Sequence, residues 1–256
     1  MNGRFTCRLS GFKQYWRTST LPPILKLMAL NPHPLSDPSP AEVIPADEAA
    51  PFLAELGISV SGIQNALLDA VDAASLRDDP YWANTARGIE LWSNLVHGVR
   101  QLLHEDKEWT VDNPQNRPVM VRDGGHYEFA LAGGDSGTGN PELQPGFARN
   151  VGKATTQAAN RFSQEDPRAL IPLRTLLEAT ESSNLPHHPF GTWILLYRCT
   201  TEAIYSEISV PAHISSDGEL ESWRLRVLLP VITDLGDKLS KPLPDNLDDD
   251  LDFFIA

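Results

Sequence analysis

The spacing of the apolar residues changes once along this chain, near Trp109, and that change limits the possible folds more than any other feature. Over residues 59–76, Ile63, Ala66, Leu67, Ala70, Val71 and Ala74 recur three or four positions apart, which puts them on one helical face. A stronger stripe follows Asp78 or Asp79 as cap and Pro80 in the first turn: Ile89, Trp92, Leu95, Val96, Val99, Leu102 and Leu103. The two stripes predict an antiparallel helical hairpin. Beyond Trp109 the period is two. Residues 108–111, 118–122 and 126–131 alternate as strands, and 191–199, 203–210 and 221–229 are spaced as an antiparallel meander, with turn signals at Asn113-Pro114, Asp123-Gly124-Gly125 and Ser216-Asp217-Gly218. The expected class is α+β: an N-terminal helical layer packed on a mostly antiparallel sheet of five or six strands, with flexible termini.

The ends differ from this body. Pro32, Pro34, Pro38, Pro40, Pro45 and Pro51 interrupt the segment ahead of the helices, so residues 1–46 are expected to be a loosely attached, basic and proline-rich lead-in. Residues 47–235 form the single expected domain and 236–256 an acidic tail. Shorter helices are expected over 47–55, 151–162 and 168–180. The 256 residues carry 21 Lys and Arg against 34 Asp and Glu, a net charge of −13. Arg4, Arg8, Lys13, Arg17 and Lys26 meet no acid in the first 27 residues, so the remainder is more acidic still. Such a body repels a phosphate backbone, which disfavours direct nucleic-acid binding. Apolar runs stay far below the roughly 20 residues of a membrane span. No apolar core of a secretory signal is present, so the expected location is the cytoplasm. The reading adopted for the first 27 residues is a start at Met28, with a flexible basic arm as the alternative. Cys7 and Cys199 offer neither a disulfide framework nor a zinc cluster.

Several motifs invite a chemical reading. Gly134-Asp135-Ser136-Gly137 matches the four residues around the nucleophile of trypsin-like serine proteases. A nucleophilic serine needs a base in hydrogen-bond reach, and the upstream His97 and His104 fall in a helix instead. The surrounding segment 133–146 holds five glycines and two prolines and is expected to be a long functional or mobile loop. Residues 146–155, GFARNVGKAT, approach a phosphate-binding loop. The glycines stand six apart rather than five, and Ala154 replaces the hydroxyl that binds magnesium. A softer expectation is an anion contact at Arg149, Lys153 and Arg161. His126, His187, His188 and His213 lack metal-ligand spacing, and Glu105-Asp106-Lys107 reads as a solvated helix end; no metal and no cofactor is assigned. On the strands, Ile204, Ser206, Ile208 and Val210 should share one face and Tyr205, Glu207 and Ser209 the other. Glu207 with Arg224 and Arg226 then makes a salt-bridged outer face, or alternatively a ligand or partner surface.

Residues 241–256, KPLPDNLDDDLDFFIA, resemble the acidic tip of bacterial and phage single-stranded DNA-binding proteins. Asp248, Asp249, Asp250 and Asp252 match its acids, and Phe253 or Phe254 its aromatic residue, whereas Ile255 and Ala256 depart from it. The resemblance implies docking on a protein partner through a basic ridge and an apolar pocket. Across residues 80–232, Trp193, Leu195, Leu196, Tyr197, Glu207, Trp223, Arg226, Leu229 and Pro230, with loop 133–139, are similar to uncharacterised bacterial proteins of mobile elements. That likeness implies a fold and a bacterial or phage setting, and transfers no catalytic residue. The functional expectation is a non-enzymatic adaptor or accessory subunit that docks a partner through its tail. Two alternatives stand beside it: an anion- or nucleotide-binding domain or enzyme centred on loop 133–146, and a nucleic-acid accessory protein or mimic.

Overall fold

The computed structural model describes residues 41–77, 80–105, 108–164, 188–233 and 235. The expected helix over 168–180 and the acidic tail, with Asp248, Asp249, Asp250, Asp252, Phe253 and Phe254, lie outside the described residues.

The helical layer follows from the two apolar stripes. A short helix α1 (Ala49–Ala54) precedes α2 (Val60–Ser75) and α3 (Ala86–Glu105). Ser59 caps α2, its hydroxyl accepting the Gly62 amide at 3.1 Å and satisfying one of the donors a helix start leaves open. Helices α2 and α3 run antiparallel, Gly62 lying against Leu102 and Ala66 against Gly98. A Cβ on Gly98 would come within 3.2 Å of the Ala66 Cβ, so small residues set this close approach.

The sheet has seven strands: β1 (Glu42–Ile44), β2 (Thr110–Asp112), β3 (Val119–Arg122), β4 (Tyr127–Gly133), β5 (Gly191–Cys199), β6 (Ile204–Ile214) and β7 (Leu220–Leu228). Their order is β1-β7-β6-β5-β4-β3-β2. Pairs β1/β7 and β4/β5 are parallel and the others antiparallel, so the sheet is mixed. The expected five or six strands are thus exceeded. The additional strand β1 lies between Pro40 and Pro45, too short to show a period.

The parallel β4/β5 pair requires a crossover, because the chain must return to the same end of the sheet. That connection contains α4 (Lys153–Gln164), whose Asn160 side chain donates to the Ile214 carbonyl and accepts from its amide. The sheet is therefore covered on both faces, where the sequence pattern anticipates a single helical layer. Strand β5 carries the signal, being buried continuously from Gly191 to Leu196 instead of on alternate residues.

Phe129, Trp193, Leu195, Ile208, Val210, Leu225 and Val227 pack beneath the α1–α3 layer, and Ile194, Leu196 and Trp223 form a smaller cluster on the opposite face. The Trp109 ring, wholly buried, donates from Nε1 to the Leu56 carbonyl at 2.8 Å and meets Phe129 edge-on. Strict alternation along β7 would place Trp223 with Leu225 and Val227. It crosses to the other face because Val210 pairs with Leu225 and Pro211 with Trp223, leaving Arg224 as a bulge. Pro211 has no amide with which to continue the ladder.

Candidate functional site

Loop 133–146 and the polar face of β6 and β7, separate features in the sequence, are two halves of one clasp. Beyond β4 the chain turns at Asp135, whose carboxylate accepts the Gly137 amide at 2.8 Å and the Gly146 amide at 2.9 Å, closing the loop on itself. The loop then lies on the sheet. Glu207, with no exposed surface, accepts the Gly139 amide at 2.9 Å and the Ser209 hydroxyl at 2.8 Å. Arg226 donates to Glu207 from Nε at 3.0 Å and Nη2 at 2.6 Å, and to the Leu143 and Asn140 carbonyls at 2.6 and 3.0 Å. The Trp223 ring donates to the Pro145 carbonyl at 2.9 Å. A buried ion pair is weak as a source of net stability, but this one satisfies both ions and fixes the loop's path.

Two sequence expectations change accordingly. Glu207 and Arg226 do not form an outer, solvated face, since the loop buries them, and Arg224 stands apart at the bulge. The loop is an ordered strap: Ser136 is exposed at its turn, and Asp135, its neighbour, is occupied by two backbone amides. Glycine is required where the strap is tightest. A Cβ on Gly137 would lie 2.9 Å from the Pro145 Cα, and Gly139 has φ +74° against β6.

A second buried pair lies on the same sheet face. Arg117 grips Glu128 through both terminal nitrogens, at 2.5 and 2.7 Å, and the Thr192 hydroxyl donates to the same carboxylate at 3.0 Å. Nothing in the sequence marks this triad, because Arg117 precedes β3 while Glu128 and Thr192 come from β4 and β5.

The proposed anion residues lie around α4. Arg149, Lys153 and Arg161 are all exposed; Lys153 opens the helix and Arg161 follows two turns later, about 12 Å along it. Among the histidines, His126 is exposed and stacks on Phe190, His188 is buried with Nε2 2.7 Å from the Phe52 carbonyl, and His213 is exposed near Glu221. His187 lies outside the described residues. No group of His, Cys, Asp and Glu suited to a metal ion occurs among the described residues. No described helix is long and apolar enough to cross a membrane. Cys199 is buried at the end of β5; burial pushes its thiol up to about 12, with Arg87 opposing, and pushes the adjacent Tyr197 phenol up as well.

Two open features remain. Of eight exposed large apolar side chains among the described residues, five, Leu76, Tyr81, Trp82, Ile89 and Trp92, lie at the α2–α3 corner. Tyr81 is 95% exposed, and the Arg77 guanidinium sits 4.7 Å over the Trp82 ring. The second is a crevice of about 170 Å³ where β3 leaves β4, bounded by α3, β4 and the start of α4. The sequence places Ile89 and Trp92 in the core stripe, yet they are 43% and 40% exposed because they stand on its margin. No family model matches the chain, and no curated protein or solved structure matches it.

Proposed function

We propose that this chain is a non-enzymatic adaptor or accessory subunit that docks a protein partner, with the α2–α3 corner as the contact on the folded body. The observation that carries the reading is the exposed cluster of Leu76, Tyr81, Trp82, Ile89 and Trp92. Exposed apolar side chains gathered near one corner and rich in Trp and Tyr have the composition of interface hot spots. The polar groups best suited to chemistry support the same reading. Asp135, Glu207, Arg226, Glu128 and Arg117 are each engaged in closing the fold. The partner suited to an acidic chain is a basic protein with an apolar recess, which the tail residues Asp248, Asp249, Asp250, Asp252, Phe253 and Phe254 would engage in addition. The cytoplasm and a bacterial or phage complex are the setting in which this reading places it.

The test compares proteins co-purified with the full chain, with residues 245–256 deleted, and with Tyr81→Ser/Trp82→Ser. One and the same basic partner should be lost or weakened at least tenfold by each change, and elevated salt should weaken the tail contribution first. Equal recovery of that protein by all three forms would show the reading to be wrong.

A further inference from the structure

The crevice beside β4 is built by a proline. In the antiparallel β3/β4 pair Met120 stands opposite Phe129, so the next hydrogen-bonded step would set Pro118 opposite Leu131. Pro118 has no amide to give, and the ladder ends there. The orientation of Leu131 follows from its neighbours. Along β4 the peptide groups of alternate residues point to opposite edges. The Gly191 amide bonds the His126 carbonyl and the Gly134 amide bonds the Tyr197 carbonyl, so even-numbered residues face β5. The Gly133 carbonyl, on the other edge, accepts from Ala148. Leu131 therefore presents its N–H and C=O toward the gap, with no described residue pairing them. Arg117 also lines the crevice, and its Nε is buried without a hydrogen-bond partner, both terminal nitrogens being committed to Glu128. An orphaned donor beside a cavity is costly unless something occupies the cavity.

We infer that this crevice is a binding site for a small planar amide on a six-membered ring, the chemistry shared by a nucleobase edge and an aryl carboxamide. Such a molecule offers an acceptor to the Leu131 N–H and the Arg117 Nε–H, and a donor to the Leu131 C=O. A carboxylate lacks that donor, and the Arg117 charge is already balanced by Glu128, so the site selects a neutral group over an anion. The remaining lining is mostly apolar, which suits a ring: Trp92 and Val96 on the α3 side, Val151 and Ile194 on the other, with Thr155 a further polar side chain. The volume of about 170 Å³ limits the occupant to one ring, since a cavity of roughly 150 Å³ accommodates benzene. This inference shares Trp92 with the adaptor reading but requires neither the tail nor Tyr81 and Trp82, and Ala132→Leu, away from the docking corner, tests it separately.

Calorimetric titration of the full chain with benzamide, uracil, benzoate and toluene tests it. Benzamide and uracil should saturate one site, at least tenfold more tightly than benzoate or toluene. Trp92→Ala, at a partly exposed position, and Ala132→Leu, which fills the crevice, should each weaken that binding at least tenfold with unchanged circular dichroism. Uridine monophosphate separates the two sources. Tighter binding than uracil assigns a nucleotide with its phosphate toward Lys153 at the start of α4, and equal binding assigns the free amide. No saturable binding of either amide up to its solubility, toluene binding as tightly as benzamide, or Ala132→Leu binding benzamide like the wild type would overturn it.

Discussion

Arg226 and Glu207 sit on adjacent strands but not opposite each other: Glu207 pairs with Leu228 and Arg226 with Ser209, so the ion pair is diagonal. The offset is functional for the fold. It leaves one guanidinium edge on the carboxylate and turns the other toward the Asn140 and Leu143 carbonyls of the strap. Removing Arg226 alone strands a fully buried carboxylate, so Arg226→Met should cost about 3–5 kcal/mol. Glu207→Leu/Arg226→Met removes both charges and should be milder than the single change. Urea unfolding of the two variants checks the order, and a smaller cost for the single change would contradict the clasp.

Glycines separate strap geometry from ordinary loop content. Gly218, at φ +81°, would place a Cβ 2.0 Å from the Val151 carbonyl oxygen, the same carbonyl-to-amide junction where the Val151 amide bonds the Gly218 carbonyl. Gly218→Ala should therefore destabilise by at least about 1–3 kcal/mol, the scale of a strained backbone. Gly152 has open space around it and no positive φ, but its carbonyl accepts the Thr155 and Thr156 amides at the start of α4, a cap position where glycine is preferred to alanine, so Gly152→Ala should cost only about 0.5 kcal/mol. Thermal unfolding of both distinguishes these magnitudes.

How far the sequence spoke depended on whether a feature was local. The α2 stripe, the α3 stripe from Ile89 onward and the strand 191–199 stand at their expected positions, but α3 begins only at Ala86, so Pro80 lies in a turn ahead of the helix rather than in its first turn and the expected cap at Asp78 or Asp79 is not its start. The face assignment of Ile204, Ile208 and Val210 beneath the helices also holds, because β6 alternates without interruption up to Pro211. What escaped was pairing between distant segments. The second layer, the triad of Arg117, Glu128 and Thr192, and the gap at Pro118 each need two or three strands to be placed before they exist. Trp223 changed faces through a bulge created by the absent amide of Pro211, a residue on another strand. The Glu207–Arg226 pairing was legible, and its burial was not, because the strap that covers it looks like a flexible linker by composition.

The α2–α3 corner should carry binding without carrying stability. Tyr81 and Trp82 lie on the surface, and the Arg77–Trp82 contact is exposed and worth only about 0.5–1 kcal/mol. Tyr81→Ser/Trp82→Ser should therefore lower the unfolding midpoint by no more than about 4 °C. A large loss of stability would show the corner to be structural and remove the main support for the docking reading.

Cys199 should behave as a buried, protonated thiol. In a Cys7→Ser background, a disulfide reagent at pH 8 should leave the native protein unmodified and react fully once urea unfolds it. The sign of the pH effect follows from the raised thiol. Above the ordinary value of 9.0 the unfolded chain loses this proton while the folded chain keeps it up to about 12, so the folded state binds more protons and loses stability as pH rises across that window. The slope is at most about 1.4 kcal/mol per pH unit from this group, and Tyr197, also pushed up by burial, adds in the same direction at higher pH. Cys199→Ala should flatten the curve of stability against pH between 9 and 11. A variant with the same slope as the parent would mean that the thiol ionises in the folded protein, with Arg87 outweighing burial.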